Sequence, residues 1–351
     1  MKKSLKIIGI VLGCILILMF VLPFAFQGKL SQIVKSEGNQ MLNAKFDFSS
    51  LTVSLFKEFP KASITLNDLC IKGTGEFAKD TLINAGELTA AINLYSLFGD
   101  SYDISKIVIK DTKIHAIVMP DGKVNWDIMK PDTTQQVKKV KSSTPFHLQL
   151  KKLVTDNVTL IYDDQKSNMY AEVVDLDASL KGNFSDNQTD ITLNAESPSV
   201  TYKMKNIPFI NRIKLKAKVN LAADMKNHKY TLKENEIQIN AIKLGIDGWL
   251  AQKAPAMTMD LKLNTNDVNF KEILSLIPAI YSKNFKDIQT SGMATLSASA
   301  KGTYQGDTLP QFKALLNVKN AMFKYPSLPS SVDQINIDAV AQNPGGSADL
   351  T

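Results

Sequence analysis

The segment IKLKAKVNL, residues 213–221, alternates without a break: Ile213, Leu215, Ala217, Val219 and Leu221 against Lys214, Lys216, Lys218 and Asn220. Successive side chains on a strand point to opposite faces, so this pattern makes a strand with one dry and one wet face. The same period recurs in VDLDASL (174–180), MTMDLKL (257–263), ATLSASA (294–300) and INIDAVA (335–341). About a dozen such strands are expected. Their dry faces constrain the fold most, because each must be sheltered. Helices that could shelter them are scarce. One is expected near residues 269–283, where Phe270, Ile273, Leu274, Ile277, Ile280 and Tyr281 share a stripe behind Asn269 as cap and Glu272. Pro278 should bend its last turn, and NLYSLFG (93–99) offers a single turn. A sandwich, a closed barrel and an open curved sheet with an apolar groove all satisfy the pattern, and periodicity does not choose among them.

Several runs change phase partway. Phe46 and Phe48 give way to Leu51, Val53 and Leu55; Ile64 and Leu66 give way to Leu69 and Ile71. A one-residue slip would move apolar groups to the wet face unless a bulge absorbs it, so bulged, strongly twisted strands are expected.

A different period governs the start of the chain. IIGIVLGCILILMFVLPFAF, from Ile7 through Cys14 and Leu18 to Phe26, carries no charge over twenty residues. As a helix it rises about 30 Å, enough to cross the hydrocarbon core. VLGC alone reads as a lipidation signal, but twelve apolar residues follow Cys14, and no small-x-small cleavage pair follows Phe26. An uncleaved single-pass anchor is therefore expected, in preference to a cleaved signal or a lipidated cysteine. Lys2, Lys3 and Lys6 should keep the short tail in the cytoplasm and place the body outside it. Residues 29–42 continue with Leu30, Ile33, Val34, Met41 and Leu42 near one face of a short amphipathic helix.

Composition narrows the function by exclusion. The 351 residues hold two cysteines, Cys14 and Cys70, so no disulfide within the exported part is expected. The net charge of +7 includes the three lysines before the anchor, and Arg212 is the only arginine. Phosphate forks and base readout lean on arginine, so no nucleic-acid partner is expected. His115, His147 and His228 lie far apart, and no nucleophile, Walker, zinc or dinucleotide motif occurs. Asp163 and Asp164 read as turn carboxylates, because neighbours on a strand point apart. NVT (157–159) and NQT (187–189) are sequons by pattern alone. No enzyme activity, catalytic residue, metal or cofactor is expected. In DGKVNWDIM (121–129), Asp121-Gly122 marks a turn and Trp126 is expected to close the hairpin as an aromatic plug. PDTTQQVKKVKSSTP has almost nothing to bury and reads as a linker. The expected organisation is an anchor over residues 1–27, a β module over 28–130, a linker over 131–145 and further β segments over 146–351.

With these pieces in order, the chain resembles the AsmA family of Gram-negative envelope proteins. The resemblance runs from the anchor through KFDFSSLTVSLFKEFPKASITLNDLCIKG (45–73), INAGELTAAINLYSLF (83–98) and ISKIVIKDTKIHAIVMPDGKVNWDIM (104–129). The gapped G-x-x-NW ending is its most specific element. NEIQINAIKLGIDGWL (235–250) and LPQFKALLNVKNAMFKYPSLPSSV (309–332) are similar to the family's repeated β segments. The resemblance implies an inner-membrane anchor and a periplasmic body of curved, mostly antiparallel sheet forming a hydrophobic groove. It also implies a part in outer-membrane lipid homeostasis, in the manner of bridge-like lipid transfer proteins. Family members of this kind are usually longer, so a chain truncated at NPGGSADLT is expected.

Two functions of different class follow. In the first, phospholipid or another acyl lipid is conducted along a dry track lined by Ile213, Leu215, Ala217, Val219, Leu221, Met257, Met259, Leu261 and Leu296. Each buried methylene is worth about 0.8 kcal/mol, so a long acyl chain crossing water needs such a track. In the second, the protein is an assembly scaffold that adds a strand to envelope protein clients.

Overall fold

The computed structural model describes residues 27–58, 61–93, 102–130, 146–184, 187–274, 288–327 and 329–347. The expected anchor, the expected linker and the second half of the expected helix after Leu274 lie outside these residues. No helix among the described residues is long and apolar enough to cross a membrane.

The described chain is mainly β. Its strands are β1 (Lys45–Asp47), β2 (Ser50–Glu58), β3 (Lys61–Lys72), β4 (Thr81–Asn93), β5 (Tyr102–Val118), β6 (Phe146–Asp164), β7 (Met169–Lys181), β8 (Gln188–Met204) and β9 (Ile207–Asp224). They continue as β10 (Lys229–Ile239), β11 (Ile242–Lys253), β12 (Ala256–Thr265), β13 (Val268–Asn269), β14 (Gln289–Tyr304), β15 (Thr308–Leu309), β16 (Gln311–Lys324), β17 (Val332–Asn343) and β18 (Gly346–Ser347). Two α-helices accompany them: α1 over residues 27–41 and α2 over Phe270–Leu274. Every described register is antiparallel. Short turns between successive strands make that pairing the cheap one, since parallel pairing needs a long crossover.

The chain divides into two compact units, Met1–Ile161 and Tyr162–Thr351. In the first, the strand order is β1-β3-β4-β5-β6, with β2 also on β3. Both phase slips in the sequence fall at one place here. β1 ends at Asp47↔Cys70 and β2 begins at Ser50↔Asn67, while Asp68 takes φ 51°. Its carboxylate accepts the Ser49 hydroxyl at 2.7 Å. This left-handed residue, which leaves the register against β4 unshifted, lets Leu66 and Leu69 reach the same hydrophobic cluster despite their odd spacing. Phe48, Leu51, Leu69, Ile71, Leu82 and Ala85 form its buried centre.

Helix α1 packs Leu30 and Val34 onto that cluster. Ile33 and Met41, expected on the same packed face, are instead about half exposed, at 49% and 50%. The contact is close: a Cβ on Gly38 would lie 2.6 Å from the Phe46 ring. Asn39 clamps the helix end, donating Nδ2 to the Phe46 carbonyl at 2.8 Å and accepting Phe46 N–H at 3.0 Å. Lys35 adds a 2.6 Å ion pair to Asp47. The DGKVNWDIM segment returns to the same place, with Lys130 N–H donating to Met41 O at 3.0 Å.

The plug of that segment is Asn125 rather than Trp126. Trp126 is 42% exposed, whereas Asn125 is 3% exposed. Asn125 Oδ1 accepts Ile117 N–H at 2.9 Å and its Nδ2 donates to His115 O at 2.7 Å. A short carboxamide can supply both a donor and an acceptor to β5 where an indole offers one donor.

In the second unit the order is β7-β8-β9-β10-β11-β12-β14-β16-β17, with β13 on β14 and a separate β15–β18 pair. Bulges recur along these strands. Asp175, Arg212, Glu234, Asn320 and Gln334 all take positive φ inside strands.

Candidate functional site

The second unit carries one continuous apolar face, which can be traced through its registers because directly opposed residues share a face. On β9, Leu215, Ala217, Val219 and Leu221 oppose Ser197, Ala195, Leu193 and Ile191 of β8. Across the other edge, Leu221 meets Leu232, Ala217 meets Ile237 and Leu215 meets Ile239 of β10. Leu232 and Ile237 are five apart, so unbulged alternation would put them on opposite faces. The register shift between Leu232 and Glu236 restores the match.

From β10 the face passes to Leu244 and Ile242 of β11. From β11 it passes to β12, where Ile246 opposes Leu263, Gly248 opposes Leu261 and Leu250 opposes Met259. Leu261 then meets Ala300, and Met257 meets Tyr304. Leu296, Ala298 and Ala300 of β14 oppose Leu316, Ala314 and Phe312 of β16. Leu316 and Ala314 finally meet Ala339 and Ala341 of β17. All nine residues picked from the sequence therefore stand on one face: Ile213, Leu215, Ala217, Val219, Leu221, Met257, Met259, Leu261 and Leu296.

Their burial is the informative quantity. Each of the nine is half-buried, while Lys214, Lys216, Lys218 and Asn220 on the other face are exposed. A second sheet packed on the apolar face would drive such residues to full burial, as in a sandwich core. The contrast is visible on the same face. Ile242, Leu244 and Ile191 are buried on it, at 0%, 6% and 8%, and where α2 folds over it Ala294, Val318 and Ala321 are 2%, 1% and 0% exposed beneath Phe270. One register row away, Leu296 and Leu316 are only half-buried. In the first unit the rows Ile64↔Ala90↔Ile107 and Leu66↔Leu88↔Ile109 are also half-buried, but there Ile64, Leu66 and Leu88 pack on the core cluster.

The sequence reading missed Leu193, Ile237, Ile239, Leu244, Ile246, Leu263 and Leu316 as members of the face. The alternation that identified β9 was present for them too. The bulge in β10 hid it for Ile237 and Ile239.

Most of the polar atoms on this face are taken up locally, although Asn235 Nδ2 is buried without a hydrogen-bond partner. Ser197 donates its hydroxyl to Val174 O at 2.6 Å, Thr265 Oγ1 accepts Leu296 N–H at 2.9 Å, and Asn235 Oδ1 accepts Asn220 N–H. Charge is confined to the opposite face. There Lys216 pairs with Glu196 at 2.8 Å, Lys243 with Glu236 at 3.4 Å and Lys301 with Asp260 at 3.3 Å. Lys229 Nζ lies 4.7 Å from the Trp249 ring centre.

Among the described residues, no cluster of three or more His, Cys, Asp or Glu could hold a metal. The lowered carboxyl pKa values have local causes. Asp47 is held down first by the Lys35 ammonium, Asp121 by Lys123 N–H, Asp164 by Ser167 N–H and Asp224 by the Asn227 amide. Asp164 Oδ1 accepts Ser167 N–H at 2.9 Å, as a turn carboxylate does. His228 sits exposed in a turn at φ 49°, and Cys70 is half-buried in β3.

No curated protein and no solved structure matches the chain. A family model does: the AsmA family model matches residues 1–325, most of the chain, covering the first unit and the second as far as Tyr325. With that match, and with a mainly β body whose apolar face spans strand after strand, the chain belongs to the AsmA family, a family associated with the cell envelope.

Proposed function

We propose that this protein binds acyl lipid, such as phospholipid, on the apolar face of its sheet and conducts it along that face, with the sheet curved into a hydrophobic groove. In this reading residues 7–26 anchor the chain in the inner membrane, the amino terminus is cytoplasmic, the body is periplasmic, and the protein contributes to outer-membrane lipid homeostasis without catalysing a reaction. The observation that carries the reading is the half-burial of Leu215, Val219, Leu221, Met259, Leu261 and Leu296 on one unbroken face. An apolar face of this extent left to water is costly, and an acyl chain laid along it removes apolar surface from both partners. Family membership supports the envelope setting.

Strand addition to an envelope protein is the alternative reading, and it requires a free strand edge. Detergent extraction followed by mass spectrometry separates the two readings. Co-purifying phospholipid near one or more molecules per chain is the expected result. A lipid-free preparation that captures an extended peptide would support strand addition instead.

A further inference from the structure

We infer that α2 is an intramolecular plug, occupying part of the track that lipid would otherwise fill; this rests on the lipid-binding reading above. The helix lies on the apolar face itself, not beside it. Phe270, Ile273 and Leu274 pack on Ala294, Val318 and Ala321, with Leu316, Ile335 and Ile337 around them. Those residues continue the open face without a break: Ala294↔Val318 is followed by Leu296↔Leu316 on β14 and β16, and Val318↔Ile337 by Leu316↔Ala339 on β16 and β17. Lifting α2 would therefore lengthen the open face at that rim.

The floor beneath the helix is made of small residues. Gly292, at φ 104°, brings β14 so close to β16 that a Cβ there would sit 2.4 Å from Ala321 Cα. Ala294 and Ala321, with Val318, make the floor on which the Phe270 ring packs, and a flexible acyl chain packs on such an apolar floor as well as a ring does.

On its N-terminal side the tether is slight. β12 holds β14 as far as Asn264↔Ser297, and pairing then resumes only through Val268↔Ala294 and Asn269↔Met293 of the two-residue β13. Asn266 and Asp267 between them are exposed. A long acyl chain buries more apolar surface than the side chains of Phe270, Ile273 and Leu274 do, and so can displace them.

The test is hydrogen exchange on the purified full chain, comparing lipid-stripped protein with protein loaded with cis-parinaric acid, whose fluorescence reports binding independently. Binding with at least threefold faster exchange across residues 268–274 is expected. A Phe270→Ser variant, kept only if its melting temperature shows it folded, should bind more parinaric acid per chain than wild type. Binding with unchanged or slower exchange at 268–274 would overturn the plug and leave the lipid reading intact. If wild-type protein does not bind parinaric acid, the lipid reading itself fails and the plug fails with it.

Discussion

At Asn125 a carboxamide does what the sequence suggested an indole would do. Trp126 drew attention because aromatics close hairpins, but the strand it neighbours needed a donor and an acceptor together. Ile117 N–H and His115 O are satisfied by one Asn side chain, and Ile117 is itself 5% exposed. Asn125→Ala should leave that buried N–H without a partner and destabilise the protein by about 1–3 kcal/mol. Trp126→Ala, at a residue 42% exposed, should cost markedly less. Urea unfolding of both variants decides the order, and a larger loss for Trp126→Ala would return the plug to the indole. The partners of Asn125 lie eight and ten residues away, beyond the reach of local pattern reading. Asp163 and Asp164, by contrast, were legible as turn carboxylates because their partners are within a few residues.

Among the elements, strands were legible wherever alternation ran unbroken, as in β9 and β12. Bulges were partly legible. The slips from Leu66 to Leu69 and from Phe48 to Leu51 announced a bulge, and a left-handed residue, Asp68 at φ 51°, stands there instead with the register unshifted. Asp and Asn tolerate that backbone, so Asp68, Asp111, Asn157 and Asp175 are chemically natural places for it. Arg212, Glu234 and Gln334 adopt it too, and nothing in those residue types signals a left-handed backbone. The packed side of α1 was legible in Leu30 and Val34 but not in the exposure of Ile33 and Met41, because helical spacing alone does not fix the width of the buried stripe. Asp111 is the sharpest place to test a left-handed strand residue. It holds φ 47° and accepts Asn157 Nδ2 at 2.7 Å. A β-branched residue is strained at positive φ, so Asp111→Val should cost about 1–3 kcal/mol. Asp111→Gly loses the hydrogen bond but not the backbone freedom and should cost less, as chemical denaturation of the pair would show. Equal losses would mean that the side-chain bond, and not the backbone, matters there.

For the molecule as a whole, the sequence established that dry faces existed but not whether they were closed. Sandwich, barrel and groove share one alternation pattern, and only burial separates them. The nine chosen residues are all half-buried on one face, and full burial on that face between β14 and β16 occurs beneath α2. The central claim is that this face is open and holds lipid, and Val219 is the place to challenge it. In a closed core, Val219→Lys would bury an unpaired charge at a cost comparable with the stability of a whole domain. On an open face the lysine stem can lie along the sheet while its ammonium reaches water. The most direct measurement is the melting temperature and co-purifying lipid of Val219→Lys, beside Lys218→Ala on the wet face as control. The account predicts that both variants fold, that Lys218→Ala retains wild-type lipid, and that Val219→Lys loses most of it. A collapsed Val219→Lys protein, or a folded one with its lipid intact, would contradict it.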